Sequence, residues 1–289
     1  MNQTPRIAGP WRELYVPRTG GNYVNDHTLV RSDDGQWHLI GITAVEPKPA
    51  QERYFAHGSG PSLSKPLTHR GIVLDGGVPV WAPAAFRGDD DTWHLLYGPA
   101  PTRHAVVHEL ASGEWWDAPV DIVGAPPFAL HRDHMVLRLD EDTWLMYGTG
   151  LHRGLSSIAV LVSNDLCQWR FVQQAVTSDR TAPLHPAWGA LESPYVVRRG
   201  DTFHLFTTYT DCRTENYHQT LVLSSTNPYD FGRLTAATWD ATVRTVLDAH
   251  APEIVQDPDS EEWFITSCGW PGFNTHQAGG VAIAPLAWD

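Results

Sequence analysis

The most regular pattern in the chain is a pair of short apolar segments separated by an acidic turn. One copy runs from Arg132 to Gly150, where the apolar segments Met135–Leu137 and Trp144–Tyr147 flank the turn Asp140–Asp142. Two apolar runs on either side of a short polar turn indicate a β-hairpin. We therefore predict a hairpin over this stretch.

The same hairpin pattern occurs five times along the chain. Each second segment carries an aromatic residue at or near its start, and these residues lie 51 to 60 positions apart: Trp37, Trp93, Trp144, Phe203 and Trp263. The preceding segments are also related, as HTLVR, PAAFR, HMVLR, YVVRR and EIVQD. A strand repeat of this length is typical of a β-propeller. We predict an all-β, five-bladed β-propeller of four-stranded blades starting near residues 23, 80, 131, 191 and 250, in a single domain over residues 1–289.

The segment Trp11–Val16 is predicted to form an edge strand that closes the ring. A propeller must join its last blade to its first, because an unclosed ring leaves unpaired strand edges.

Composition supports this class and excludes others. The 289 residues can bury a large core, and 24 Gly and 22 Pro suit a chain rich in turns. A net charge of −13 argues against nucleic acid as a partner, since phosphates require a basic surface. We expect no membrane partner either, because no apolar run approaches 18 residues and no secretory signal is visible. The three cysteines lack CxxC spacing and are interpreted as buried free thiols of a cytoplasmic protein.

Three carboxylates open the first strands of three blades. They are Asp26 in NDH, Asp133 in RDH and Glu192 in ESP. These motifs resemble those of the five-bladed propeller glycosidases of families 43, 32 and 68, and family 43 most closely. In those families an Asp-Pro opens the first blade, an Arg-Asp-Pro the third and a Glu-Gly-Pro the fourth. The segments WAP, SNDLCQW and APLAW are also similar, so the resemblance extends from about Tyr23 onwards.

The resemblance implies a role for each carboxylate. Asp26 corresponds to the general base or nucleophile, Asp133 to a pKa modulator or transition-state stabiliser, and Glu192 to the general acid. The first strands of propeller blades line the axis, so we expect the three carboxylates to converge. Glycoside cleavage needs two such groups, and crowding of like charges keeps one of them protonated near neutral pH.

The chain also departs from the family pattern. His27 and His134 replace the family prolines, and Ala84 follows WAP where the family often has an acid. We predict that His27, His134 and His250 bind substrate. His250 resembles a histidine that in some family members contacts a calcium ion or its waters, so a divalent cation near His250 is a hypothesis; no other cofactor and no metal ligand is assigned. Histidines recur after the aromatic anchor, as His38, His94 and His204, and their recurrence predicts a structural role.

Three tryptophans are candidates for stacking against a sugar ring: Trp81, Trp188 and Trp270. Indole faces pack well against the apolar C–H groups of sugars. The alternative for each is packing in the core or between blades.

These features predict a glycoside hydrolase that uses carboxylate acid/base catalysis on a small-molecule glycoside. Inversion at an arabinoside or xyloside is the first interpretation and a fructoside the second, while the exact sugar, the stereochemical outcome and the oligomeric state are left open. One alternative is a propeller of glycosidase ancestry adapted to elimination or cyclisation of a small metabolite. Another is a carbohydrate-binding protein that has lost activity, which the presence of all three carboxylates argues against.

Overall fold

The computed structural model of the protein describes residues 4–18, 23–46, 48–179, 191–211, 216–269 and 279–289. Within these ranges the chain forms 23 β-strands, one 3₁₀ turn (Pro49–Gln51) and one short α-helix, α1 (Trp239–Thr242). The strands make five sheets, which are the blades of a five-bladed β-propeller, as predicted. No helix in the described ranges is long and apolar enough to cross a membrane.

The strands follow the chain almost blade by blade. Two N-terminal strands come first, β1 (Pro5–Ile7) and β2 (Arg12–Tyr15). The first sheet contains β3 (Asn25–Arg31), β4 (Trp37–Thr43), β5 (Tyr54–Gly60) and β6 (Thr68–Asp75). The second contains β7 (Trp81–Arg87), β8 (Trp93–Gly98), β9 (Arg103–Val107) and β10 (Trp116–Asp117). The third contains β11 (Asp121–Val123), β12 (Arg132–Arg138), β13 (Trp144–His152), β14 (Leu155–Ser163) and β15 (Gln168–Ser178).

The last two sheets complete the set. The fourth contains β16 (Leu191–Arg199), β17 (Thr202–Asp211), β18 (Asn216–Ser225) and, as its outer strand, β20 (Val243–Asp248). The short strand β19 (Arg233–Leu234), which lies between β18 and β20 in the chain, belongs to the third sheet. The fifth contains β21 (Ile254–Gln256), β22 (Trp263–Ser267) and β23 (Val281–Trp288), together with β1 and β2.

Three sheets have the predicted four strands and two have more. In the third sheet β15 is 11 residues long, and the short strands β11 and β19 both pair with it in parallel. The length of β15 leaves room at its outer edge for both partners. In the fifth sheet β2 pairs antiparallel with β23, with Arg12 opposite Ile283, and β1 is also a neighbour of β23. The predicted closing strand at Trp11–Val16 is therefore confirmed.

The aromatic anchors occupy one register position in all five sheets. Each lies directly opposite the last or next-to-last residue of the first strand, in the pairs Arg31–Trp37, Arg87–Trp93, Arg138–Trp144, Arg198–Phe203 and Gln256–Trp263. In the four pairs with arginine, the guanidinium carbon lies 5.4 to 6.0 Å from the ring centroid. The repeat that the sequence revealed is thus a repeated cross-strand contact.

The recurring histidines are structural, as predicted. His38 Nδ1 lies 2.9 Å from His57 Nε2, and His94 Nδ1 lies 2.8 Å from His104 Nε2. His204 Nδ1 lies 2.9 Å from the hydroxyl oxygen of Ser224. These contacts, buried in the first two pairs and partly buried in the third, tie the second strand of a blade to its third.

The chain divides into two compact units. One comprises Met1–Arg6, Pro119–Pro252 and Ala287–Asp289, and it holds the third and fourth sheets around a core that includes Leu145, Tyr147 and Leu205. The other comprises Ile7–Ala118 and Glu253–Leu286. It holds the first and second sheets and most of the fifth, with a core cluster that includes Ile40, Phe55, Leu95 and Tyr97. The single domain over residues 1–289 stays a prediction.

The cysteines follow their prediction in part. Cys268 is buried, and neither it nor Cys167 forms a disulfide among the described residues. Cys167 is partly exposed, because it lies in the turn between β14 and β15 and not in a strand interior. Cys212 lies outside the described residues.

Candidate active site

In each blade, a residue with left-handed backbone geometry lies at or just before the start of the first strand. The residues are Asp26 (φ 50°), Ala82 (φ 49°), Asp133 (φ 59°), Ser193 (φ 50°) and Ala251 (φ 43°). In the first four sheets the pairing register shifts at this point, as at a β-bulge. Bulges re-aim side chains and are frequent beside active sites. Asp26 and Asp133 therefore occupy equivalent positions in their blades, whereas Glu192 lies one residue earlier in its blade.

In the unit that holds the third and fourth sheets, Arg132 lies between two carboxylates. Its Nη2 donates a hydrogen bond of 2.6 Å to Glu192 Oε2, and its Nε lies 3.3 Å from Asp133 Oδ1. The side chains of Asp133 and Glu192 are only 3% and 8% exposed. The cluster therefore holds two buried acids and one buried cation, so a full negative charge on both carboxylates is only half compensated.

Burial dominates the protonation of Glu192. Burial is the largest contribution, and it raises the pKa of Glu192 to about 7. The positive charge of Arg132 and its hydrogen bond lower this pKa, whereas the charge of Asp133 raises it. An acid with this pKa is partly protonated at neutral pH and can both donate and accept a proton. The same logic of burial and like charge prepares general acids in other enzymes.

Backbone and hydroxyl groups hold the two acids in place. Asp133 Oδ2 accepts a 3.1 Å hydrogen bond from the backbone N–H of Ser193, which also approaches Thr149 Oγ1 at 3.1 Å. Thr207 Oγ1 donates to the backbone carbonyl of Glu192 at 2.9 Å. The third and fourth blades are therefore joined at the level of their catalytic candidates.

His250 approaches the same cluster from the segment before β21. Its Nε2 lies 3.9 Å from Glu192 Oε1, and its ring meets the ring of Tyr217 edge to face at 5.3 Å. The next residue, Ala251, donates its backbone N–H to Thr208 Oγ1 at 2.8 Å. Arg132 and His250 thus flank opposite oxygens of Glu192.

His134 is buried beside Asp133, and burial lowers the pKa of His134 to about 4. The pKa of the half-buried His131 is lowered as well, chiefly by burial and secondarily by Arg132. Both imidazoles are therefore neutral at neutral pH.

The described residues contain no group of three or more His, Cys, Asp or Glu arranged to hold a metal ion. Around His250 the neighbours described above are a carboxylate at 3.9 Å and an aromatic ring. Glu192 supplies carboxylate oxygen there, whereas calcium takes roughly six to eight oxygen ligands, so these two described neighbours alone do not form a calcium site.

Asp26 and its neighbours lie in the other unit. Asp26 is partly buried, and His27 is buried with its Nε2 2.8 Å from Thr266 Oγ1. Trp81 is half-buried and packs against the core of the first two sheets, so part of its surface serves the core.

Near Asp26 lie acidic groups that the sequence did not single out. Burial raises the pKa of Glu253 well above its usual range, against a backbone hydrogen bond from Leu29 that lowers it. Burial also raises the pKa of the Cys268 thiol, and the charges of Asp26, Glu253 and Glu52 raise it further. A hydrogen bond from the backbone N–H of Asp26 lowers it. In sequence, Glu253 follows His-Ala-Pro as Ala84 follows Trp-Ala-Pro. Aligning these two repeats would have identified Glu253 from the sequence. The second blade lacks an acid at this position, and the fifth blade has one.

Two predicted sugar-contacting residues, Trp188 and Trp270, lie outside the described residues. His185 and His276 lie outside the described residues as well.

The fold is found in solved enzymes of one glycosidase family. No family model and no curated protein matches the sequence. A thermostable family-43 glycoside hydrolase matches with a TM-score of 0.66 and 16% identity, covering 95% of this chain and 92% of its own. A family-43 β-xylosidase/α-arabinofuranosidase from a compost microbial metagenome, solved in complex with xylotriose in a calcium-free form, matches with a TM-score of 0.64 and 15% identity. The match covers 99% of this chain and 95% of that enzyme. The α-L-arabinanase of Cellvibrio cellulosa, solved in complex with arabinohexaose, matches with a TM-score of 0.67 and 15% identity. The match covers 92% of this chain and 93% of that enzyme. The resemblance predicted from the motifs is thereby confirmed at the level of the fold: this chain is similar in structure to the five-bladed propellers of family-43 enzymes.

Proposed function

We propose that the protein is a glycoside hydrolase that cleaves a small glycoside. The observation that carries the proposal is the buried Glu192, whose pKa burial raises to about 7 and which lies beside Asp133 at the entry to a first strand. A carboxylic acid that keeps its proton near neutral pH is the group needed to protonate a glycosidic leaving oxygen.

In this proposal Glu192 is the general acid. Asp26, at the equivalent entry to the first blade, acts as general base toward water or as nucleophile at the anomeric carbon. Asp133 raises the pKa of Glu192 and favours positive charge in an oxocarbenium-like transition state. Its fixed position, set by the Ser193 backbone, supports this role because a preorganised charge costs no rearrangement during the reaction.

Substrate contacts are proposed for His27, His134 and His250, and for the indoles of Trp81, Trp188 and Trp270. Neutral histidines can donate or accept hydrogen bonds with sugar hydroxyls, which suits the lowered pKa of His134. Arabinosides and xylosides are the first candidates, in keeping with the arabinohexaose and xylotriose bound by two structural neighbours, and fructosides follow.

The acid assignment is tested with two substrates that share a sugar and differ in leaving group. For Glu192→Gln, we expect a rate loss of about 10²–10⁴ on an unactivated disaccharide, the usual contribution of general acid catalysis. The loss should be smaller on a nitrophenyl glycoside, because nitrophenolate leaves without protonation. Asp26→Asn should slow both substrates to a similar extent, since both need attack at the same carbon.

Glu141→Gln, in the exposed hairpin turn of the third blade, is the matched control and should leave both rates unchanged. Melting temperatures of all variants exclude unfolding as the cause. Equal losses on both substrates for Glu192→Gln, or near-normal rates for Asp26→Asn, would refute the assignment. Anomeric products followed by NMR distinguish hydrolysis from elimination or cyclisation and report inversion or retention.

A further inference from the structure

In each blade, one residue directly precedes the left-handed residue at the start of the first strand. In the third, fourth and fifth blades these residues are Arg132, Glu192 and His250, and their side chains meet at 2.6 and 3.9 Å. The same position in the first blade is held by Asn25, the chain neighbour of Asp26, where the register of β3 also shifts. Because the register is the same, the Asn25 side chain is directed from its blade as those of Arg132 and Glu192 are from theirs.

Asn25 is held by a buried carboxylate. Its Nδ2 donates to Glu52 Oε1 at 3.3 Å, and the hydroxyl of Tyr23 donates to the same oxygen at 3.2 Å. Glu52 is 1% exposed and directly follows the 3₁₀ turn Pro49–Gln51. Its backbone carbonyl accepts the N–H of Val80 at 2.8 Å. Glu52 is thus fixed at both its backbone and its side chain.

This contact determines which end of the Asn25 amide faces away from Glu52. A carboxylate only accepts hydrogen bonds when ionised, so the NH₂ group of Asn25 must face it. The carbonyl Oδ1, on the other arm of the planar amide, is therefore turned away from this carboxylate oxygen and can accept a hydrogen bond. Asn25 keeps 9% of its surface exposed, and a small ligand that reached Oδ1 could donate a hydrogen bond to it. Hydroxyl groups of a sugar are donors that suit such an acceptor.

We propose that Asn25 binds a substrate hydroxyl through Oδ1 and that Glu52 is the positioning residue that fixes the Asn25 amide for this contact. The inference rests on the proposed glycoside substrate. It adds a binding residue and a buried support to the part of the site that contains Asp26.

Binding of L-arabinose and D-xylose, measured by NMR titration without turnover, tests the proposal. Loss of one uncharged hydrogen bond costs up to about 1.4 kcal/mol, so Asn25→Ala should weaken binding of the recognised sugar roughly 3- to 10-fold. Glu52→Met should weaken it similarly, because it removes the group that orients the amide. Glu52→Gln should bind nearly as the parent does, since its amide oxygen can still accept from Asn25.

The double variant Asn25→Ala with Glu52→Met should bind no more weakly than Asn25→Ala alone, because the two residues act through one contact. Glu46→Gln, an exposed acid in the same β4–β5 connection, is the matched control and should not change affinity. If Glu52→Met does not fold, as judged by its melting curve, Glu52→Asp replaces it; a carboxylate withdrawn by one methylene should give an intermediate loss.

The outcomes separate this proposal from the proposed function. Sugar binding that depends on Asn25 without any turnover would refute the hydrolase and keep the binding residue. Turnover that is lost in Asp26→Asn, with unchanged affinity in Asn25→Ala, would overturn the binding residue alone. Additive losses in the double variant, or a Glu52→Met variant that binds normally, would overturn the positioning role. Failure of the parent protein to bind either sugar would overturn the binding residue, while the turnover assays decide the proposed hydrolase separately.

Discussion

A single guanidinium sets the balance in the cluster that contains Glu192. Burial and the charge of Asp133 both favour the protonated form of Glu192, whereas Arg132 favours the ionised form through its charge and its hydrogen bond. The result is a carboxyl with a pKa of about 7, neither permanently protonated nor permanently charged. Arg132 therefore lowers the highest pH at which the proposed acid still carries its proton.

Replacing Arg132 by Met should extend activity to higher pH. The pKa of Glu192 should rise above 7 when both lowering contributions are lost, by roughly one unit or more. The alkaline limb of the pH–rate profile, which reports deprotonation of the acid, should then move upward. Measuring kcat/KM across pH 5–10 checks this.

Arg132→Lys keeps the charge and should shift the limb much less than Arg132→Met. Breaking a buried ion pair costs about 3–5 kcal/mol, so melting temperatures must accompany the profiles. An unmoved alkaline limb in a folded Arg132→Met variant would mean that another group controls it.

The positions of the three carboxylates followed from their motifs, but their partners did not. The motif RDH placed Asp133 at a strand start, yet nothing in the letters says that Arg132 reaches Glu192, 60 residues away. That contact depends on the left-handed turn at Asp133, which aims the preceding side chain at the neighbouring blade. Bulge geometry of this kind is set by cross-strand pairing and not by local sequence, because several residue types occupy the same turn in the other blades.

At the scale of the hairpin, the arginine–aromatic pair recurs in four blades and is replaced by Gln256 and Trp263 in the fifth. In three of the other blades the arginine also donates to a carbonyl of its turn, as Arg31 does to Gly35 at 3.2 Å. In the second blade Arg87 donates instead to the Asp91 carboxylate at 3.4 Å. Gln256 makes the corresponding bond to Glu261 at 3.1 Å, but its side-chain amide is uncharged.

We expect Gln256→Arg to stabilise the protein by about 0.5–1 kcal/mol, the contribution of an exposed cation–π contact. The turn hydrogen bond can be kept, so the new contact is a net gain. Calorimetry should register a rise of roughly 1–4 °C in melting temperature. The reverse change, Arg138→Gln, should lower it by a similar amount; a fall for Gln256→Arg would show that the fifth hairpin differs in geometry from the others.

The imidazole pair His38–His57 should make the first blade sensitive to acid. Burial, followed by the charge of His38, lowers the pKa of His57 to about 4 from a usual value of 6.5. The unfolded chain therefore binds a proton that the folded chain rejects between these pH values, and stability must fall as pH falls from 6.5 toward 4. At about 1.4 kcal/mol per pKa unit, the full effect is about 3 kcal/mol.

Urea unfolding of the parent and His57→Gln at pH 7.5 and pH 4.5 tests this. At pH 7.5 the variant should be the less stable by about 1–2 kcal/mol, since a buried hydrogen bond is lost. At pH 4.5 the gap should close or reverse, because the variant has no imidazole to protonate. A gap that stays constant between the two pH values would contradict the assignment.

At the scale of the molecule, the five-blade repeat and the closing strand were predictable because each blade repeats one hydrophobic pattern. The extra strands β11 and β19 were not, since each has only two or three residues and pairs in parallel with a distant partner. Nor did the sequence reveal that the compact units each gather their own apolar core. Short edge strands form where a longer neighbour offers an open edge, and this is a property of the assembled sheet.

During synthesis, β1 and β2 emerge from the ribosome before the other described strands, and their partner β23 emerges after them. The ion pair between Arg6 and Asp289 joins residues 283 positions apart. At usual elongation rates, the N-terminal strands wait roughly 15 to 60 seconds for their partner. A chain whose translation stops before β23 leaves open edges on β2 and β22, and unpaired strand edges can pair with strands of other chains. Protection of these edges therefore depends on the synthesis of β23.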